Sequence, residues 1–288
     1  MTLLRDQAPA KINLTLSILA KRADDYHELS SLVAFAAIGD TLALKVEPSL
    51  DLIVDGPTAE GAGKRSDNLV LRAARAAQER IERLKIGRFA LIKRLPAGAG
   101  LGGGSSDAAA ALRLIARAND LPVHDKRLFD AALAVGADVP VCLDPKARLM
   151  HGIGEILSGP IALPTLDAVL VFPGVAVATQ DVFSHFTLVA GPRRKTRHAE
   201  TEIPREREAL LSYLAGEAND LELAARLVAP EIGEAKDLLA ETNARLVRMT
   251  GSGSAVFALY DNASLAKRAA AKVAKRRPGW WVAQTTLR

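Results

Sequence analysis

From Lys11 to Ile18 the chain reads Lys–Ile–Asn–Leu–Thr–Leu–Ser–Ile, with polar and apolar residues in strict alternation. A period of two places successive side chains on opposite faces of an extended strand. Ile12, Leu14, Leu16 and Ile18 are predicted to face a core. Lys11, Asn13, Thr15 and Ser17 then share the other face, and a cation, an amide and two hydroxyls there suit the wall of a cleft. Further apolar runs between turn residues predict strands near 29–36, 41–46, 51–54, 88–95, 149–157, 168–172, 246–249, 255–260 and 281–285.

A period near 3.6 takes over elsewhere. It predicts helices from Asp67 to about Leu84, with Asp or Asn at the cap, from Ser106 to Ala118, and from Lys126 to Val135 with Gly136 as the stop. Others are expected over 220–228, 232–241 and 264–276, while residues 190–208, rich in Arg, Thr, Glu and Pro, read as an exposed connection. Strands and helices mix without regular βα alternation, so the fold class is α+β. No internal repeat is visible, and 288 residues are long for one core, which favours two domains.

Composition narrows the function classes. Hydrophobic residues are 49% and charged residues 25%, the balance of an ordinary globular protein and not of a disordered one. The charge of +5 comes from 38 basic and 33 acidic side chains. Its densest runs, Arg193–Arg194–Lys195 and Lys272 to Arg277, lack interleaved aromatics in the first case and follow a helical pattern in the second. Both read as solvated faces, so no nucleic-acid partner is expected. Cys142 stands alone, which excludes an internal disulfide, and it reads as a small buried apolar residue. His124, His151, His185 and His198 have no metal-ligand spacing, so no structural metal is expected. Charges interrupt the N-terminal segment where a signal peptide's apolar core would lie, and no apolar run approaches bilayer length. A cytoplasmic protein with no membrane partner is the expectation.

The segment Leu95–Pro–Ala–Gly–Ala–Gly–Leu–Gly–Gly–Gly–Ser–Ser–Asp107 carries the most chemistry. Five glycines fall within seven residues, between a predicted strand and a predicted helix. Glycine lets a ligand approach the backbone, and the free N–H groups and positive end of a following helix favour an anion. The expected ligand is a phosphate. On this reading Gly102→Val is expected to put a side chain where phosphates lie and to weaken nucleotide binding first. Gly98, Gly100 and Gly103 also satisfy the spacing of a Rossmann dinucleotide fingerprint. That fingerprint needs an acidic residue after a second strand, and Asp120 follows a helical run. A Walker loop needs Lys before Ser or Thr, and none is present.

The loop from Pro96 to Ser106 resembles the signature of the GHMP kinases (galactokinase, homoserine kinase, mevalonate kinase, phosphomevalonate kinase). Two further segments look like that family's other motifs, in the same order: Ala8–Pro–Ala–Lys–Ile–Asn–Leu14 and Met249–Thr–Gly–Ser–Gly–Ser–Ala–Val–Phe257. The resemblance implies a two-domain fold, with an N-terminal ATP-binding domain over residues 1–160 that contains a left-handed βαβ unit. Residues 161–288 would form an α+β substrate domain. It implies ATP as co-substrate, with Mg²⁺ completing charge neutralisation. Pro96, Ala97, Gly98, Ala99, Gly100, Leu101, Gly102, Gly103, Gly104, Ser105 and Ser106 would wrap the phosphates, and Asn68 and Lys93 would lie near the adenine.

Lys11–Ile–Asn13, Asp25–Tyr–His–Glu28, Leu101 to Ala109 and Gly136–Ala–Asp–Val–Pro140 resemble one branch of that family. Its acceptor is the 2-hydroxyl of a cytidine-diphosphate-linked methylerythritol, in the non-mevalonate isoprenoid pathway. By resemblance Asp138 accepts the hydroxyl proton and Lys11 orients the attacking oxygen. A charge pair at 4 Å is worth about 4 kcal/mol at an effective dielectric near 20. Read from the sequence alone, Asp138 is better explained as a turn residue or cap before Val139–Pro140. Asn13, Tyr26, His27, Thr179 and Phe183 would bind the substrate, with Tyr26 and Phe183 on opposite faces of the base. Gln180 stands where the family often has Pro after that Thr. The alternatives are a GHMP kinase acting on a mevalonate-type alcohol or homoserine, and a nucleotide-binding regulator without turnover. Monomer and homodimer are both compatible with the resemblance.

Overall fold

The computed structural model describes residues 3–189 and 198–288. The basic run 193–195 lies outside these residues. The chain runs through β1 (Leu3–Asn13), β2 (Ser17–Lys21), β3 (His27–Val46), β4 (Asp51–Asp55), α1 (Leu69–Gln78), β5 (Gly87–Ile92), α2 (Gly103–Ala118), α3 (Lys126–Val135) and α4 (Val139–Cys142). It continues through β6 (Arg148–Gly152), β7 (Ile156–Leu157), β8 (Leu166–Phe172), α5 (Thr179–Val189), α6 (Arg207–Ala215), α7 (Glu222–Val228), α8 (Glu231–Ala240), β9 (Leu246–Met249), β10 (Val256–Tyr260), α9 (Ala263–Arg276) and β11 (Trp281–Leu287).

Two compact units form, and they interleave in sequence. One takes the chain as far as Lys11, Ile38–Ala97 and Gly102–Pro145; the other takes Ile12–Ala37, Gly98–Leu101 and the described part of Lys146–Arg288. Strands β1 and β3, and the glycine-rich loop, therefore each contribute to both.

In the first unit β5 lies between β4 and the C-terminal half of β3. It is parallel to β4 and antiparallel to β3. A parallel neighbour requires a crossover, and α1 supplies it, so β4–α1–β5 is a βαβ unit. One face of β5 is buried and the other exposed, residue by residue. Leu42, Leu44, Leu52, Phe89 and Leu91 of the buried face pack with Val70, Ala74, Ala110, Ala111, Leu114 and Ile115 of α1 and α2. Alanine dominates these helix faces, so helix and sheet backbones pack closely with few aromatics. Asn68 caps α1, its side chain accepting from Val70 N at 3.0 Å. Asp125 caps α3, and Gly136 ends it.

In the second unit β11, β8, β10 and β9 lie side by side, each antiparallel to the next, and the N-terminal half of β3 meets β11 at Ala36. Val169, Val171, Val256, Ala258 and Tyr260 pack against Val182, Phe186, Ala225, Ile232, Leu239, Ala266 and Val273 of the helices.

Three expectations change. The alternating segment belongs to two strands, β1 and β2, and all of its residues from Lys11 to Ile18 are buried. The second correction concerns the supposed connection over 190–208, which has buried residues at His198 and Ile203 and leads into α6 at Arg207. His198 is fixed there by its N–H to Ser30 Oγ at 3.1 Å and by Tyr213 Oη at 2.8 Å from Nδ1. Helix α2 begins at Gly103, not Ser106, so the last two loop glycines form its first turn. The basic run of α9 is a paired surface: Lys272 and Arg276 meet Glu241, and Arg277 meets Glu234 and covers Trp280. Among the described residues no helix is long and apolar enough to cross a membrane.

Candidate active site

Lys11 ends the first unit's share of β1, buried, with its Nζ 2.8 Å from Asp138 Oδ1. Asp138 occupies the N-cap position of α4, yet its side chain makes no cap hydrogen bond. The plain cap reading therefore fails. The carboxylate is committed to Lys11 instead, and with 43% of its side chain accessible it stays open to a reactant.

Gly102 adopts φ +64°, a conformation that side chains rarely take. A Cβ there would lie 3.1 Å from Lys11 Cβ and 3.5 Å from its Cε. A residue larger than glycine at this point displaces the Lys11 stem, so the expectation that Gly102→Val acts first on ATP is revised. The glycine keeps the loop in contact with Lys11.

Beneath the first turn of α2 lies an ionic cluster. Lys93, at the exit of β5, donates to Asp107 Oδ2 at 2.8 Å and to Asp40 Oδ2. Asp40 also accepts from Arg94 N at 2.5 Å and from Leu95 N at 2.9 Å. All three side chains are buried. Burial works to lower the Lys93 pKa, but Asp107 and Asp40 outweigh it and hold the ammonium above the ordinary lysine value. Burial pushes the Asp107 carboxyl up to about 7, with Lys93 opposing and Asp40 adding to the rise. Lys93 thus supports the loop from below, and its ammonium is already held by two carboxylates. Asn68 uses its side-chain oxygen in the α1 cap.

This cluster gives a stability prediction. A carboxyl whose folded pKa is raised binds its proton more tightly when folded, so stability is lost as pH rises through the folded value. Between pH 6 and 8 Asp107 is expected to remove about 1 kcal/mol from unfolding stability. Asp107→Asn should flatten that decline and be the more stable form at pH 8, measured by denaturant unfolding at both pH values.

The loop's middle belongs to the second unit. Ala99 O accepts from Ala255 N at 2.9 Å, and Gly98 O from Val177 N at 3.3 Å. A Cβ on Gly100 would lie 2.6 Å from Gly253 O and 2.8 Å from Thr250 O, so this glycine is required by protein backbone. Thr250 and Ser252 make side-chain contacts to two candidate site residues that residue types alone do not single out. Thr250 Oγ1 accepts from Asn13 N at 2.9 Å, and Ser252 Oγ lies 2.9 Å from Thr179 Oγ1. Asn13 Nδ2 donates to Ser31 Oγ at 2.7 Å, and its Oδ1 is buried with no protein partner. The ring stacked on Phe183 is His27, with centroids 4.6 Å apart and planes at 23°. Tyr26 stands 58% exposed in the turn before it. Burial pushes the Cys142 thiol up to about 12, which suits a packed residue and not a nucleophile. Among the described residues no group of three or more His, Cys, Asp or Glu is arranged to hold a metal.

Residues 68–144 match the GHMP kinases N terminal domain, and residues 199–278 match the GHMP kinases C terminal domain. Over its full length the chain is 55% identical to the whole of a 4-diphosphocytidyl-2-C-methyl-D-erythritol kinase from Xanthobacter autotrophicus. It is 51% identical, again over 100% of both chains, to that of Methylobacterium radiotolerans. The chain belongs to the 4-diphosphocytidyl-2-C-methyl-D-erythritol kinases, a branch of the GHMP kinase family. A crystal structure of a 4-(cytidine 5'-diphospho)-2C-methyl-D-erythritol kinase superposes with a TM-score of 0.77 at 36% identity, covering 99% of each chain. A homoserine kinase from Cytophaga hutchinsonii, 18% identical with a TM-score of 0.70 over 99% of this chain and 95% of its own, shares the fold. The two-domain α+β architecture is that of this family.

Proposed function

We propose that the chain transfers the γ-phosphoryl group of ATP to the 2-hydroxyl of 4-diphosphocytidyl-2-C-methyl-D-erythritol, with Asp138 as base and Lys11 as its partner. The Lys11–Asp138 pair at 2.8 Å, with the carboxylate free of its helix cap, carries this reading. Phosphoryl transfer asks the protein mainly to position the reactants and to balance charge. The acceptor O–H gives its proton to Asp138 as the oxygen attacks the γ-phosphorus, the bond to the β-phosphate oxygen breaks, and ADP leaves. Lys11, next to the carboxylate, orients the acceptor oxygen and offsets the negative charge gathering there.

The phosphates fall to the backbone of 96–106 and to the N-terminal turn of α2. Ser106 Oγ, buried there with no hydrogen-bond partner, is a free hydroxyl for this purpose. Ser106 Oγ and an Asp138 oxygen are also hard donors of the kind Mg²⁺ takes alongside phosphates. When bound with ATP, the ion would neutralise charge on the transferring phosphate. Phe183 and His27 would hold the cytosine. Thr179, Asn13 and Tyr26 complete the contacts to the alcohol and nucleotide.

The reaction is tested by ADP release with 4-diphosphocytidyl-2-C-methyl-D-erythritol, mevalonate and homoserine as acceptors. Turnover of mevalonate or homoserine in preference to the cytidine ester would overturn the substrate assignment. Loss of a base-stacking face removes about 1–3 kcal/mol. Phe183→Ala is therefore expected to raise KM for the cytidine substrate by about 10- to 100-fold while KM for ATP holds, read from steady-state rates with each substrate varied.

A further inference from the structure

The catalytic carboxylate is carried by a helix too short to hold its own orientation. Helix α4 is four residues long, a single turn, and isolated turns are unstable without outside support. Its N-terminal end is held by the Asp138–Lys11 pair. Its other end is held by Arg113, which rises from the middle of α2 and is itself buried.

The Arg113 guanidinium meets three acceptors. Nε donates to Asp6 Oδ2 at 2.9 Å, Nη2 to Gln7 O at 2.5 Å, and Nη1 to Cys142 O at 2.5 Å. Asp6 and Gln7 lie on β1, the strand that carries Lys11 near its end. Cys142 is the last residue of α4, whose carbonyl has no partner within the helix. One side chain thus joins the strand carrying the lysine, the helix carrying the base, and the helix that opens on the phosphate loop. Nothing in the transfer chemistry uses Arg113 directly. A planar fork with fixed donor directions suits three acceptors at set angles, and an ammonium cannot reproduce that arrangement.

We propose that Arg113 is a positioning residue for phosphoryl transfer, fixing through its bonds to β1 and α4 the point at which Asp138 meets Lys11. The proposal rests on the assignment of Asp138 as base. It predicts that disturbing Arg113 slows the chemical step and spares nucleotide binding.

The test compares Arg113→Lys, Asp138→Asn and the double variant in the full chain, with kcat and both KM values measured on folded protein. Arg113→Lys is expected to lower kcat by about 10- to 100-fold, the loss a small misplacement of catalytic groups produces. KM for ATP should stay within about twofold. In the Asp138→Asn background the same substitution should cause no further loss, because two residues acting through one group are not additive. A loss that multiplies in the double variant, or one that tracks only the folded fraction, overturns the proposal. If Asp138→Asn alone leaves kcat unchanged, the assignment of the base has failed instead. Should Arg113→Lys not fold, Asp6→Asn decides: it weakens one arm of the clasp and leaves both carbonyl bonds. A kcat lowered about threefold or more, and not lowered again beside Asp138→Asn, supports the proposal. An unchanged kcat overturns it.

Discussion

Asp138→Asn is expected to lower kcat by about 10²- to 10⁴-fold, the usual contribution of a positioned general base, while ATP binds nearly as before. The substitution is almost isosteric, and Asp138 makes no cap hydrogen bond for the variant to lose. Among the described residues its side chain pairs with Lys11, which is buried while the carboxylate is 43% accessible. The variant leaves that ammonium without its counter-charge and costs some stability, so kcat is read on protein shown to be folded. The amide cannot accept the hydroxyl proton and no longer balances the Lys11 charge. Single-turnover phosphoryl transfer separates this effect from product release. ATP affinity, measured by titration without the alcohol, should stay within a few-fold. A variant with parental kcat would remove Asp138 from the chemistry.

Gly100→Ala should be the most damaging conservative change in the loop. Two effects combine at this position. The residue sits at φ +74°, where a Cβ is strained in any surroundings, and the new atom would lie 2.6 Å and 2.8 Å from the carbonyl oxygens of Gly253 and Thr250. Those are backbone atoms, and they cannot swing aside as a flexible side chain would. The strained conformation alone costs about 1 kcal/mol or somewhat more. The clash should bring the total to about 4 kcal/mol or more, the range of the most disruptive single substitutions. Gly174→Ala is the matched control, with φ +87° and no atom within 4 Å of the added carbon. Denaturant unfolding should show a loss of about 1 kcal/mol for the control and several times that for Gly100→Ala. Equal losses would mean that the loop and the Thr250–Gly253 turn are not held in the close approach described.

Local signals were legible wherever the chain carried its own punctuation. Helix α3 covers 126–135 as its pattern predicts, because Asp125 caps it and Gly136 breaks it. Asn68 takes the α1 cap for the same reason. Strand β9 has the predicted bounds at 246 and 249. Helix α5 escaped because Thr179–Val189 is rich in β-branched and aromatic residues with modest helix propensity, and packing overrides that preference. The three family motifs singled out the loop and a set of candidate site residues. They carry no signal for the Asn68 cap, for the two carboxylates on Lys93, or for the contacts that Thr250, Ser252 and Arg113 make.

What the sequence determined alone was the elements that carry their own caps and breaks and the composition of the phosphate loop, since periodicity, capping and glycine content act within a few residues of chain. The tertiary structure decided the partners. Alternation predicted one strand with Lys11, Asn13, Thr15 and Ser17 on a shared face, but the folded chain divides that segment between β1 and β2 and packing buries all of it. Only packing set Asp138 on Lys11, Arg113 on β1 and the end of α4, and Asp107 beside Asp40. A charged side chain's protonation and role depend on the groups brought to it by distant segments, and burial multiplies the energy of each such encounter.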